Sequence, residues 1–338
     1  MGDATSADRT PFDDLVTAVR WLLIVAGSAA AVPVAVTLLL RQFDIASPQV
    51  VGYVAATPLI TFFGLVAVIL LVVARWWTGA AVAGALTVVL VLTQVPLYLG
   101  RARPDGPVTE VTMMTVNLHY GGGDPAGVVR LVRELDVDVL ALEELTSEAR
   151  AAMAGVGLDE LLPHSVATPQ GGPGGNGLWS RYPLTDAGTR DGFRRPPVAA
   201  LMDVDGRSVS VVVVHPTSPY PADAGEWSAE LGRLEEWLAT FDGPVVVAGD
   251  FNATYDHRPF RDLLATGLRD AAEQVGTGFL PTYPAHRRRI PLLITIDHVL
   301  TGGGVVAVDV RRTDVDGTDH AGLLAVLAVP RATGPDQS

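Results

Sequence analysis

The 338-residue chain contains no cysteine and no lysine. Without cysteine it holds neither a disulfide framework nor a thiolate zinc site. Its fixed cations are all arginine, a compositional bias that carries no functional reading. Charge itself is scarce in one third of the chain. Residues 1–100 hold nine charged side chains: Arg9, Arg20, Arg41, Arg75, Asp3, Asp8, Asp13, Asp14 and Asp44. That shortage excludes a single homogeneous globule, and the chain divides into an apolar third and a polar two-thirds. With 49% hydrophobic residues and a mean hydropathy of +0.32, disorder is excluded as well. Basic charge is in deficit in the polar part, where 20 Arg face 32 Asp and Glu, a net of −12. Proteins that grip duplex nucleic acid present a basic face, so this balance argues against nucleic acid as the partner.

The apolar third contains three charge-free runs, Trp21–Leu40, Ile45–Ala74 and Trp76–Gly100. A 20-residue helix is about 30 Å long, the thickness of a bilayer core. The runs predict three transmembrane helices at about 21–40, 50–74 and 77–99, with the lipid bilayer as partner. Pro33 and Pro58 fall inside two of them, which membrane helices tolerate. Trp76, Trp77 and Tyr98 suit the interface. Arginine counts do not orient the chain: Arg9, Arg20 and Arg75 fall on one side, Arg41, Arg101 and Arg103 on the other. The expected organisation is a membrane domain over 1–100, a linker over 101–110, a catalytic domain over 111–330 and a flexible tail over 331–338.

The polar part alternates between strand and helix patterns. Strands are expected at Val111–Asn117, Val137–Leu142, Gly177–Ser180, Ala199–Val204, Ser208–His215, Pro244–Gly249, Thr295–Leu300, Val305–Arg311 and Gly322–Val329. Helices are expected at Asp124–Leu135, Ala224–Phe241 and Arg258–Ala265, the first with Asp124 as its N-cap and Pro125 at its first position. The mixture predicts an α/β domain. The Gly- and Pro-rich stretch 168–176 predicts a mobile loop. Chemistry collects where strands stop: Asn117, Glu143 and Glu144, His215, Asp250 and Asn252, Asp297, and Asp319-His320. Polar groups at strand ends converge on one sheet edge, a common place for a site. His298 follows Asp297 directly and points to the opposite face of its strand. His119 shares the face of Asn117 if that strand continues. His164, His257 and His286 are expected at the surface or in loops.

The strings Thr115-Val116-Asn117, Ala141-Leu142-Glu143-Glu144, Val214-His215-Pro216, Gly249-Asp250-Phe251-Asn252, Ile296-Asp297-His298 and Gly317-Thr318-Asp319-His320 occur in the order of the endonuclease/exonuclease/phosphatase superfamily. The chain resembles that family over about residues 110–330. The resemblance implies a four-layer α/β/β/α sandwich preceded by the three transmembrane helices. It departs from the family at Glu143, where Gln is usual before the metal-binding Glu, and at Thr318, where Ser is usual. The membrane helices add a resemblance to bacterial proteins of the VanJ (teicoplanin-resistance) type. That likeness implies a multi-pass cell-membrane protein with residues 101–338 outside the cytoplasm.

A phosphoester repels an attacking hydroxide, so its hydrolysis needs a cation, donors for the extra charge and a base. The resemblance assigns the metal, Mg²⁺ or else Mn²⁺, to Glu144 with Asn117 and Asp319; magnesium favours such oxygen ligands. Glu143 is a second contact. His320 is a base or phosphate contact held by Asp297. Asp250 binds or deprotonates the nucleophilic water, Asn252 donates to phosphate, and His215 donates to phosphate and assists the leaving group. Between Asp250 and His320 the sequence does not choose the base. Arg287-Arg288-Arg289 is either a solvated loop or a contact to anionic headgroups, and Thr282-Tyr283-Pro284 is a candidate pocket wall. The expected activity is hydrolysis of a lipid-linked phosphate such as a polyprenyl pyrophosphate. The alternatives are an extracytoplasmic nuclease, a sphingomyelinase-like phosphodiesterase and a non-catalytic scaffold. No protein partner is implied.

Overall fold

A computed structural model describes residues 10–100, 106–285 and 293–331. Arg9, Arg101, Arg103, His286, Arg287–Arg289 and the tail beyond Arg331 lie outside the described residues. The chain forms two compact units.

The first unit comprises the described part of residues 1–43 with 56–95. Helix α1 (Pro11–Leu40) starts at a capping box in which Thr10 and Asp13 bond each other's backbone N–H, with Pro11 in the first turn. It is longer than the expected 21–40. The run 50–74 was expected to be one span, and here the chain departs from that. It forms α2 (Pro48–Ala55) and α3 (Thr57–Val73), with a break at Ala56. Pro58, in the first turn of α3, has no N–H to continue the helical hydrogen bonding from α2 and supplies the reason. Helix α4 (Trp77–Gln94) runs into a 3₁₀ turn, Val95–Tyr98. Pro11–Leu40 and Trp77–Tyr98 are long and apolar enough to cross a membrane, and α3 reaches that length only together with α2. Small residues line the seams: a Cβ at Gly27 would press on Leu71, and Ala67, Ala80 and Ala83 are buried. Close backbone approach of this kind holds helices together where no hydrophobic effect operates. The Arg20 side chain donates to the Ala74 carbonyl at 3.0 Å. Outward, Leu22, Phe62, Val82 and Leu92 each stand more than half exposed.

The second unit comprises residues 44–55 and the described part of 96–338. Its elements are β1 (Val108–Asn117), α5 (Pro125–Glu134), β2 (Val139–Glu143), α6 (Ser147–Gly155), α7 (Leu158–Leu161), β3 (His164–Thr168), β4 (Asn176–Ser180), β5 (Leu184–Thr189), β6 (Val198–Val204), β7 (Arg207–Val214), α8 (Ala224–Leu238), β8 (Val245–Asp250), α9 (Arg258–Ala265), β9 (Arg269–Asp270), α10 (Ala271–Val275), β10 (Asp297–Gly302), β11 (Val306–Thr313) and β12 (Gly322–Pro330). Two six-stranded sheets result, in the orders β11-β12-β1-β2-β4-β3 and β5-β6-β7-β8-β10-β9. Their inner faces share one core, with Met113, Ala141 and Ala325 against Val211, Val246 and Val299. Helices α5 and α6 pack Val128, Val129 and Met153 on the outer face of the first sheet. Helices α8 and α9 pack Trp227, Leu231 and Phe260 on the outer face of the second. The layers are therefore helix, sheet, sheet, helix, with the edge strand β5 largely exposed.

Two pairings position the chemistry. β1 and β2 are parallel, as are β7 and β8, so their carboxyl ends lie at matching edges. Antiparallel β10 begins with Asp297 directly opposite Asp250. Helix α2 was expected in a membrane span and instead belongs to this unit. Its Val51 is buried among Val212, Val214, Trp227 and Phe251.

Candidate active site

Asn117 ends β1, Glu143 ends β2 and Glu144 follows it, His215 follows β7, Asp250 ends β8, and His320 precedes β12. The chain turns sharply there. His119, Tyr120, Glu144 and Asn252 all adopt positive φ, between 46° and 57°, a conformation that non-glycine residues adopt mainly where surroundings enforce it. Gly249 has φ 142°, and a Cβ there would collide with the Val214 carbonyl and approach Glu143. The glycine of the Gly-Asp-Phe-Asn string is thus required by strand approach.

Asp250 is the hub. One carboxylate oxygen accepts from Asn117 Nδ2 at 3.0 Å and lies 3.5 Å from His215 Nε2 and 3.8 Å from His320 Nε2. The other accepts from the Asn252 N–H at 2.8 Å. Asn252 Nδ2 in turn donates to the Pro216 carbonyl at 3.1 Å. Glu144 accepts from the Tyr120 N–H at 2.6 Å and faces Asn117 Nδ2 at 3.4 Å and His215 Nε2 at 3.8 Å. Asp297 binds His320 Nδ1 at 2.9 Å, and Thr318 donates to the Asn117 carbonyl at 2.7 Å while accepting from the His320 N–H. Asn117, Glu144, His215, Asp250, Asn252, Asp297 and His320 are therefore brought together. Asp319 stands at the edge, 4.0 Å from His320 and 3.8 Å from His119.

Charge is concentrated in a low-dielectric setting. Burial holds the Asp250 carboxyl above its usual range, and the charge of His320 opposes this. Burial pulls His320 down, but Asp297 and Asp250 outweigh it and raise it to about 10. Burial and then the Arg195 cation hold His215 well below the ordinary histidine value, as a neutral ring. Burial also pushes Glu143 well above the carboxylate range; its Oε1 accepts from Thr115 at 2.9 Å, and its Oε2 has no partner among the described residues.

Ligand atoms of Asp250, Asp297 and His320 lie within 4.8 Å of one another, and Glu144 joins Asp250 through Asn117. This set of carboxylate oxygens with one imidazole nitrogen, from His320, and no thiolate suits a hard divalent cation. Asp319 is not part of the grouped ligand atoms among the described residues.

Several residues escape sequence reasoning. Arg195, before β6, bonds His215 Nε2 at 2.5 Å and the Pro216 carbonyl at 3.3 Å. Its only sequence signal is the Arg-Arg-Pro-Pro string. Buried Glu230 on α8 accepts from the Arg194 N–H at 2.6 Å and the Thr217 N–H at 2.5 Å, tying the Arg195 loop to the His215 loop. His257, expected at the surface or in a loop, lies in the loop before α9 but is buried; its Nδ1 accepts from the Thr254 N–H and its Nε2 meets the Val51 carbonyl. The covering α2 is the reason. His298 does point away from Asp297, binding Asp270 at 2.6 Å. His119 and Tyr283 line the pocket, although β1 stops before His119.

These groups floor a pocket of about 580 Å³. Residues 114–320 match the model of the Endonuclease/Exonuclease/phosphatase family. The UPF0294 protein VP2298 of Vibrio parahaemolyticus is 28% identical over 140 residues, 40% of this chain. The chain spans about half, 47%, of that relative's length. Among solved structures, D. rerio TDP2 complexed with single strand DNA product aligns with TM-score 0.55 at 14% identity, over 65% of this chain and 99% of that one. An AP endonuclease from Archaeoglobus fulgidus aligns with TM-score 0.53 at 18% identity, over 64% and 98%. Both likenesses show the shared fold. With its two-sheet fold, its strand-end carboxylates and a family match over more than half its length, the chain belongs to the endonuclease/exonuclease/phosphatase family of metal-dependent phosphoesterases.

Proposed function

We propose that the protein is a membrane-anchored, Mg²⁺-dependent hydrolase of a lipid-linked phosphate, such as a polyprenyl pyrophosphate, with its catalytic unit outside the cytoplasm. The observation that carries the chemistry is the reach of Asp250 to Asn117, His215 and His320 in one buried cluster. Apolar helices in the same chain support the lipid reading, since an anchored enzyme meets lipid substrates at high effective concentration. The outward orientation rests on the VanJ-type resemblance.

Glu144 and Asn117 would hold the cation, with Asp319 at the edge of the same pocket. When bound, the cation neutralises phosphate charge and lowers the pKa of water. Asp250 orients the attacking water and takes its proton, with Asn117 and Asn252 fixing its two oxygens. His320, kept cationic by Asp297, donates to a phosphate oxygen. Asn252 and Arg195 supply further donors where charge develops. His215, kept neutral by burial and Arg195, hydrogen-bonds the leaving-group side.

A nuclease is the second reading, favoured by the names of the structural neighbours. Against it stand the net of −12 over residues 101–338 and a pocket wall whose described fixed cation is Arg195. The test is a substrate panel on the full chain in lipid nanodiscs with Mg²⁺. Phosphate release from a polyprenyl pyrophosphate is expected; efficient nicking of plasmid DNA with lipids untouched would overturn the reading. A reporter fused after Ser338 tests topology and should be active only outside the cytoplasm.

A further inference from the structure

The pocket has two chemically different parts. Its floor is polar and buried: Asp250, His215 and His320 are each at most 5% exposed. Much of its rim is apolar and comes from two segments remote in sequence, which also bring the uncharged Gln49 and Ser218. One is α2, which contributes Pro48, Val51, Gly52 and Ala55; the other is the turn Pro219–Pro221, where Tyr220 is 73% exposed. Helix α2 is built into the catalytic unit. Val51 is buried in the core of the second sheet, and its carbonyl meets His257 Nε2 at 2.9 Å. Asp44, just before the helix, accepts a hydrogen bond from Ser228 on α8. These ties hold one face of α2 in place and leave Gly52 at the pocket, exposed, with nothing within 4 Å of where a Cβ would stand.

A phosphate seated on the floor leaves its organic group to exit past this rim. A polyanionic chain needs cations along that path, and α2 supplies none: Pro48–Ala55 carries no charged residue. An apolar chain gains by covering such a surface, at about 25 cal/mol per Å² removed from water. We infer that α2 is the specificity wall of the active site, and that the backbone at Gly52 keeps open the space in which an apolar chain attached to the substrate phosphate lies. Gly52 is thus a specificity-determining position. The inference rests on the phosphoester-hydrolase reading above and adds the means by which the chain is recognised.

The test uses the full chain in lipid nanodiscs with Mg²⁺ and two matched probes, ethyl pyrophosphate and decyl pyrophosphate, read as released phosphate. The wild-type protein should favour the decyl probe in kcat/KM by tenfold or more. Gly52→Phe fills the space from an exposed position and should cut the decyl-to-ethyl ratio at least tenfold. Gly52→Ala, which adds one methyl, should change it less than threefold. A ratio that Gly52→Phe does not alter, or equal wild-type rates on both probes, would overturn the inference and leave the hydrolase standing. Absence of phosphate release from either probe would overturn both.

Discussion

Glu143 offers a test of the electrostatics that depends on no substrate. Its side chain is fully buried at the end of β2, with Thr115 donating to Oε1 and no partner at Oε2 among the described residues. Burial, and then the Asp297 charge, holds the carboxyl well above its usual range. In the unfolded chain it ionises near pH 4.3. Between that value and the raised folded one, the native state keeps a proton that the unfolded state has lost. Stability must therefore fall as pH rises, by about 1.4 kcal/mol per pH unit for one proton. Glu143→Gln keeps the shape and the acceptor for Thr115 and removes the titration. The variant should gain on the wild type as pH rises above the unfolded value, at a slope approaching about 1.4 kcal/mol per unit. Other titrating groups are common to both chains and cancel to first order. Urea denaturation of the full chain in detergent, with a chelator present, measures the difference at several pH values. A difference that stays level from pH 5 to 8 would refute the buried, charge-crowded setting described for Glu143.

Three further outcomes follow from the geometry. Asp250→Ala and His320→Ala should each lower kcat by about 10²–10⁴ with an unchanged far-UV spectrum; full turnover in either removes that residue from the chemistry. Gly249→Ala should destabilise the fold by more than about 2 kcal/mol, because its φ of 142° and the Val214 carbonyl leave no room for a Cβ; a loss under about 0.5 kcal/mol in urea melts counts against that strand approach. Arg195→Ala removes the cation that depresses His215, so the His215 pKa, followed by NMR, should rise, and kcat/KM should fall.

The strand ends were legible in the sequence because each short buried Val- or Leu-rich run is stopped by a polar residue. That pattern located Asn117, Glu144, His215, Asp250 and Asp297, and it also located β1, β2, β7, β8 and β12 to within a few residues. The edge strands β3 and β5 were missed, since His164–Thr168 and Leu184–Thr189 are only partly buried and lack strict alternation. Arg195 was missed because its role depends on a loop that Glu230 draws toward His215 from α8, 35 residues later in the chain. Helix α2 was absorbed into a membrane span because residues 45–74 carry no charge to mark the break. Only Pro58 signalled it. Hydropathy measures how apolar a segment is and not what it packs against. Val51 satisfies the same pattern against Trp227 and Phe251 as it would against lipid.

The most direct measurement of the central claim is phosphate release from a polyprenyl pyrophosphate by the full chain in nanodiscs, run with Mg²⁺, with chelator, and with Asp250→Ala. The account predicts turnover in the first case, loss in both others and recovery when Mg²⁺ is returned to the chelated enzyme. Turnover that survives chelation, or that survives Asp250→Ala, would contradict it.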